Sequence, residues 1–350
     1  MQSRGVKIED ALNRYVAGEP LQIGNQWQLL LDDTVVEDRF RLTLQLCSVM
    51  KYPHNPIVTR DRPWEGDVVG RPLVLWDPEW NSYRMWYRCV TRSHPTCPGG
   101  YSTYICHAES DDGLTWDKKA LDVVKTPRFD HTNIVYTGTS YPRVSCSQVW
   151  RDENESDPGR RYKMIALEKR GDVDGLHLIH SGDGLHWRLD QDEPAIFDFH
   201  SDCANHIVRD PTGARWFLYC RPILMTAGSP AGGRRTELSA VITGMDRVGK
   251  RHAGRRVSVA VSRDMRNWSF PRTVLYPDER DLPDIDHCLV FPAGSGLVML
   301  ASVMRGDTDG RFEIRLASSP DGLRWHRHYA REPFIARGPE GQWDGGRVGC

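Results

Sequence analysis

One seven-residue phrase recurs four times in this chain: Ser110-Asp111-Asp112-Gly113-Leu114-Thr115-Trp116, Ser181-Gly182-Asp183-Gly184-Leu185-His186-Trp187, Ser262-Arg263-Asp264-Met265-Arg266-Asn267-Trp268 and Ser319-Pro320-Asp321-Gly322-Leu323-Arg324-Trp325. The tryptophans fall 71, 81 and 57 residues apart, and self-similarity on that scale means that one structural unit is being reused. Each copy follows a short alternating apolar run (YICHAES, HLIHS, VSVAVS, IRLASS), the period-2 pattern of a half-buried strand. The Asp-Gly step then predicts a tight turn, because Asp bonds nearby backbone and Gly accepts positive φ. The tryptophan opens the next strand and packs over the turn.

Upstream of every corner lies a second hairpin, at residues 73–88, 147–169, 205–221 and 287–305. Two hairpins per repeat make four antiparallel strands, which is the blade of an all-β propeller. Ahead of the hairpins, acidic residues recur beside aromatic or apolar ones: Trp64-Glu65-Gly66-Asp67, Phe129-Asp130, His200-Ser201-Asp202, Asp284-Ile285-Asp286 and Trp343-Asp344. Five such positions predict a five-bladed β-propeller of four-stranded antiparallel blades. The last blade is either closed by strand-like N-terminal segments, QWQLLLDD (26–33) and RLTLQLC (41–47), or truncated. Residues 1–24 read as an N-terminal extension and 25–350 as a single propeller domain.

Composition narrows the partner. With 46 Lys+Arg against 47 Asp+Glu, the chain lacks the basic footprint of a nucleic-acid binder or a protein drawn to an anionic membrane. Twelve Trp and twelve Tyr serve either blade packing or stacking on a sugar. Nine Cys without a CxxC or tight Cys/His spacing signal neither a disulfide framework nor a zinc site. No apolar run suggests a leader or a membrane span, so the chain reads as soluble and cytoplasmic, or as secreted with its leader removed.

In a propeller the first strand of each blade lines the central channel, so Asp67, Asp130, Asp202 and Asp286 are expected to converge at one mouth. Carboxylates gathered in one funnel repel, which raises some pKa values and leaves other groups ionised. Glycoside hydrolysis needs that division, with one carboxyl as acid and another as base or nucleophile. The Trp64-Glu65 start, the Met85-Trp86-Tyr87 strand, the Ser-x-Asp-Gly-x-x-Trp corners and Trp343-Asp344 resemble the five-bladed propellers of glycoside hydrolase families 32, 43, 62, 68 and 117 and their uncharacterised bacterial relatives. The resemblance covers roughly residues 25–350. It implies an Asp on the first blade as base or nucleophile, matched by Asp67, and one on the second as tuner, matched by Asp130. The acid on a later blade has no Glu counterpart here; Asp202 stands there, and Glu65 or Glu168 are alternatives.

Arg71 and Arg143 are placed to bind hydroxyls or a sugar carboxylate. Asp286, Trp64, Trp343 and Asp344 complete the expected substrate-binding set. His131, His206 and His287 neighbour these acids, so a channel metal such as calcium is conceivable, although no cofactor is required. Arg209-Asp210-Pro211 looks like a motif of family 32, yet Asp77-Pro78 occupies the equivalent turn of the first blade, which makes Asp210 a hairpin-turn residue. The expected partner is an oligo- or polysaccharide, and the alternatives to a hydrolase are a non-catalytic carbohydrate-binding propeller or a polysaccharide lyase.

Overall fold

The computed structural model describes residues 24–91 (apart from 26, 29, 33–35, 37 and 48), 102–138 (apart from 127), 145–170, 173–189, 196, 205–221, 255–282, 284–294, 296–305, 310–327 and 331–350. It is an all-β propeller of four-stranded antiparallel blades. Blade 1 comprises β1 (Val68–Asp77), β2 (Ser82–Thr91), β3 (Ser102–Ser110) and β4 (Ile134–Tyr136). Blade 2 comprises β5 (Ser145–Arg151), β6 (Tyr162–Arg170), β7 (Val173–Ser181) and β8 (Arg188–Leu189). Blade 3 comprises β9 (His206–Arg209), β10 (Trp216–Cys220), β11 (Val257–Ser262) and β12 (Arg272–Leu275). Blade 4 comprises β13 (Asp284–Ala293), β14 (Gly296–Met304), β15 (Phe312–Ser319) and β16 (His326–Arg327). Every sheet runs in chain order, and the first strands meet in the sequence β1, β5, β9, β13.

Alternation along the strands sends one side-chain set to each neighbouring blade. Trp86, Ile105 and Tyr136 of blade 1 pack with Tyr162, Met164 and Ile179 of blade 2. Ile165 and Leu176 then meet Ile207, Leu218 and Ala260, and Phe217, Tyr219 and Val259 meet Ile285, Val290 and Met299. Burying each of these large side chains is worth about 1.5–3 kcal/mol, so the blade interfaces are the core.

The repeated corner has a second role beyond turning. Ser110 Oγ accepts the Gly113 amide at 2.8 Å, and Asp112 Oδ1 accepts the amides of Leu114 at 2.8 Å and Thr115 at 2.7 Å. The Thr115 and Leu114 amides, with the Ser110 hydroxyl, hold the Asp112 carboxyl down at about 2. The same pattern repeats at Ser181/Asp183 and Ser319/Asp321. At Ser262/Asp264 the glycine position is Met265, which takes φ +59°. The glycine carbonyl then docks on the preceding blade: Trp86 Nε1 donates to Gly184 O at 2.7 Å, and Tyr219 Oη donates to Gly322 O at 2.7 Å. Trp86 and Tyr219 hold the same register position, three residues beyond the partner of their own blade's corner serine. The corner tryptophans close over them edge-on, Trp187 on Trp86 at 6.3 Å and Trp325 on Tyr219 at 5.6 Å.

The structure departs from the sequence reading in blade number. Four sheets form among the described residues, and residues 41–47 are irregular, with Leu42 73% exposed. An alternating pattern alone does not make a strand; it needs a partner edge, and no strand pairs with this segment among the described residues. The terminal segments nevertheless meet beside blade 4. Lys51 donates to Ala336 O and pairs with Asp344, the Ser318 hydroxyl donates to Asp32, and Ile335 bridges Ile314. No helix of the described residues is long and apolar enough to cross a membrane.

Candidate functional site

Because all four blades are built alike, the starts of β1, β5, β9 and β13 lie at one mouth of the channel. At the start of β1, Pro63 opens a 3₁₀ turn (Pro63–Glu65) that ends on Gly66 at φ +70°. A Cβ on Gly66 would lie 2.7 Å from Val90 O, so only glycine lets the chain press against β2 here. The Asp67 amide donates to Val90 O at 2.7 Å, which pins the residue just ahead of the channel strand, and Asp67 is exposed. Four residues on, Arg71 adopts φ +53° in a bulge between Gly70 and Leu73. Bulges of this kind re-aim side chains next to functional sites.

Glu65 and Trp64, adjacent in sequence, point elsewhere. Glu65 is fully buried and accepts from the amides of Asp61 (2.8 Å) and Arg62 (3.0 Å), from Tyr87 Oη (2.8 Å) and from Lys118 Nζ (2.6 Å). With four donors, one of them a buried lysine, this carboxylate holds blade 1 together and leaves no room for a substrate. Trp64 donates from Nε1 to Asn133 Oδ1 at 2.7 Å and packs edge-on against Phe129, so it is part of the wall of blade 1.

Asp286, near the start of β13, lies where the sequence reading expects it but is not free to act as an acid. It is 4% exposed and is held by Arg221 at the end of β10, by Arg255 ahead of β11, and by His287 Nδ1 at 2.8 Å. Burial works to raise its pKa, but the His287 bond and the two guanidiniums prevail and keep it well below the usual carboxylate range. Asp284 accepts the Arg255 amide at 2.7 Å. Arg221 and Arg255 carry no motif, and their pairing spans 65 and 31 residues, which is why the sequence reading missed them.

Asp130 departs from expectation. It lies in the β3–β4 connection and is exposed, ahead of the outer strand of blade 1 and not at the start of blade 2. A three-residue outer strand, Ile134–Tyr136, has the same apolar look as a channel strand, and periodicity cannot separate them. Asp202 and Arg143 lie outside the described residues. Asp344 is 4% exposed and is held by Lys51, a tie between the terminal segments, whereas Trp343 is exposed. Glu168 is buried and accepts the Tyr136 hydroxyl between blades 1 and 2. Asp210 forms the β9–β10 turn, accepting the Arg215 amide and Nε. His206 donates from Nε2 to Val290 O at 2.7 Å, and His131 sits beside Asp122 at 3.1 Å. No group of three His, Cys, Asp or Glu among the described residues is gathered to hold a metal.

No protein-family model matches the sequence, and none of the curated proteins matches it. Solved structures do match in shape. The β-1,2-mannobiose phosphorylase of Listeria innocua, in complex with β-1,2-mannobiose, aligns with TM-score 0.54 at 12% identity over 81% of this chain and 83% of that one. An N-acetylgalactosamine deacetylase from F. plautii, in complex with blood group B trisaccharide, aligns with TM-score 0.48 at 18% identity over 80% of this chain and 73% of that one. An endo-arabinase from Bacteroides thetaiotaomicron aligns with TM-score 0.45 at 15% identity over 76% and 81%. The chain is thus similar in fold to the mannobiose phosphorylase, and the shared architecture is the β-propeller with its channel mouth.

Proposed function

We propose that this chain is a glycoside hydrolase acting on a neutral or mildly acidic glycan at the channel mouth, with Asp67 as base or nucleophile and Asp202 as acid. The supporting observation is the contrast in burial among the acids: Asp67 is exposed just ahead of the channel strand, whereas Glu65 and Asp286 are buried among cations. Arg71, turned by its bulge, binds a hydroxyl or carboxylate of the sugar. Asp202, shortly ahead of β9, protonates the leaving oxygen while Asp67 activates a water or attacks the anomeric carbon. A carboxyl separation of about 6.5–9.5 Å gives inversion and about 5–5.5 Å gives retention. The structural likeness to a phosphorylase makes inorganic phosphate an acceptor to compare with water. A fifth ring position, formed by the terminal segments between blades 4 and 1, belongs to the same proposal; the Lys51–Asp344 and Asp32–Ser318 ties support it.

The test is a screen of aryl glycosides and oligosaccharides, with and without phosphate, on the wild type and on Asp67→Asn and Asp202→Asn. The expected result is cleavage of at least one substrate, lowered about 10²–10⁴-fold by each substitution. Cleavage indifferent to both substitutions, or glycan binding without cleavage of any bound glycan, refutes the proposal, and the latter leaves a carbohydrate-binding propeller.

A further inference from the structure

On blade 4, β13 and β14 place His287 and Ser302 directly opposite each other. His287 Nδ1 bonds Asp286 Oδ2 at 2.8 Å, and its Nε2 lies 3.1 Å from Ser302 Oγ, which in turn lies 3.2 Å from Cys350 Sγ. The thiol is held in place. Val348 N donates to Phe312 O at 3.3 Å, Cys350 N donates to Ser302 Oγ at 3.2 Å, and a Cβ on Gly349 would lie 3.1 Å from the His287 ring. A nucleophile beside an imidazole that a carboxylate orients is the arrangement by which proteins activate a thiol.

We propose that Cys350 is a reactive thiolate, activated by His287 and Asp286, that undergoes S-thiolation by small anionic disulfides. The sulfur attacks one sulfur of the disulfide, the S–S bond breaks, and the departing sulfur leaves as a thiolate that takes a proton from water. The product is a mixed disulfide on Cys350, with no other oxidant needed. The charges around this triad fit an anionic reagent: Arg221, Arg255 and His287 surround Asp286, Asp284 accepts the Arg255 amide, and Arg347 lies over the neighbouring Phe312 ring. The buried thiol of Cys288 is a further titratable neighbour of Cys350. Burial opposes ionisation of both partners, yet the bonds to Asp286 and Cys350 lift His287 to about 9, and the His287 and Ser302 bonds lower the Cys350 thiol. Cys350 is half-buried.

This inference stands apart from the glycan reading, and its test needs no substrate. The full chain is pulsed with iodoacetamide and, separately, with glutathione disulfide from pH 6 to pH 8, and cysteine peptides are quantified by mass spectrometry against the exposed Cys47. Cys350 is expected to react about tenfold faster than Cys47 at pH 6 and to gain less than Cys47 on going to pH 8, and His287→Gln is expected to remove the advantage. A Cys350 rate that climbs with pH as steeply as that of Cys47, or no reaction before denaturation, overturns the proposal with the wild type alone.

Discussion

Two corner glycines with the same backbone offer a controlled measurement of blade docking. Gly113 and Gly322 both have φ +73°, so Gly→Ala carries the same left-handed strain at each, about 1–2 kcal/mol, partly offset by about 0.4–1 kcal/mol from the stiffer unfolded chain. Their surroundings differ. A Cβ on Gly113 would meet only the Tyr83 ring at 3.7 Å, an ordinary contact, whereas one on Gly322 would lie 2.7 Å from Phe217 Cδ2 and 2.9 Å from Tyr219 Oη. Relieving that overlap costs about 1–3 kcal/mol. Displacing the buried Tyr219 hydroxyl from Gly322 O costs about 1–3 kcal/mol more. Gly113→Ala should therefore cost about 1 kcal/mol and Gly322→Ala about 3–7 kcal/mol, read from urea unfolding followed by tryptophan fluorescence. Equal losses for the two variants would refute the claim that the corner glycine clasps the neighbouring blade.

The same instruments test the buried charges. His206 is pushed down from 6.5 to about 4, because burial outweighs the Val290 carbonyl that would raise it. Between those values the unfolded chain takes up a proton that the folded one refuses, so stability is lost as pH falls from 6.5 toward 4, by about 3 kcal/mol at 1.36 kcal/mol per pH unit. His206→Gln should flatten this acid limb, and an unchanged difference in urea midpoint between pH 7 and pH 4.5 would show that the imidazole is not its source. Glu65→Ala leaves the buried Lys118 with only Asp61 and the Thr59 carbonyl as partners and should cost about 1–3 kcal/mol, while activity per folded molecule stays at the wild-type value; a selective loss of activity in a fully stable variant would restore Glu65 as a site residue.

The blades were legible because each corner is local: Ser, Asp and Gly satisfy one another within three residues, so their chemistry is written side by side in the chain. The channel strands were legible for a similar reason, since the hairpins at 73–88 and 287–305 carry clear alternation. What escaped was decided by partners distant in the sequence. Glu65 and Asp67 look alike as acids at a strand start, but the Lys118 that consumes Glu65 lies 53 residues away. Asp286 is an acid at a blade start whose three cationic partners come from β10, the approach to β11 and its own strand. Asp130 misled because a short outer strand and a channel strand share one pattern. Local pattern thus identifies the unit, while burial and long-range charge pairing decide which acids are tied into the core.

The clasp between blades also has a direction. Trp86 waits for the carbonyl of Gly184, 98 residues later, and Tyr219 for that of Gly322, 103 residues later. On a ribosome adding about 5–20 residues each second, the aromatic receptor stays unfilled for about 5–20 seconds after its own synthesis, until the next corner arrives. Synthesis therefore leaves a travelling sticky edge at the newest blade, and that edge is where a chaperone would find the nascent chain.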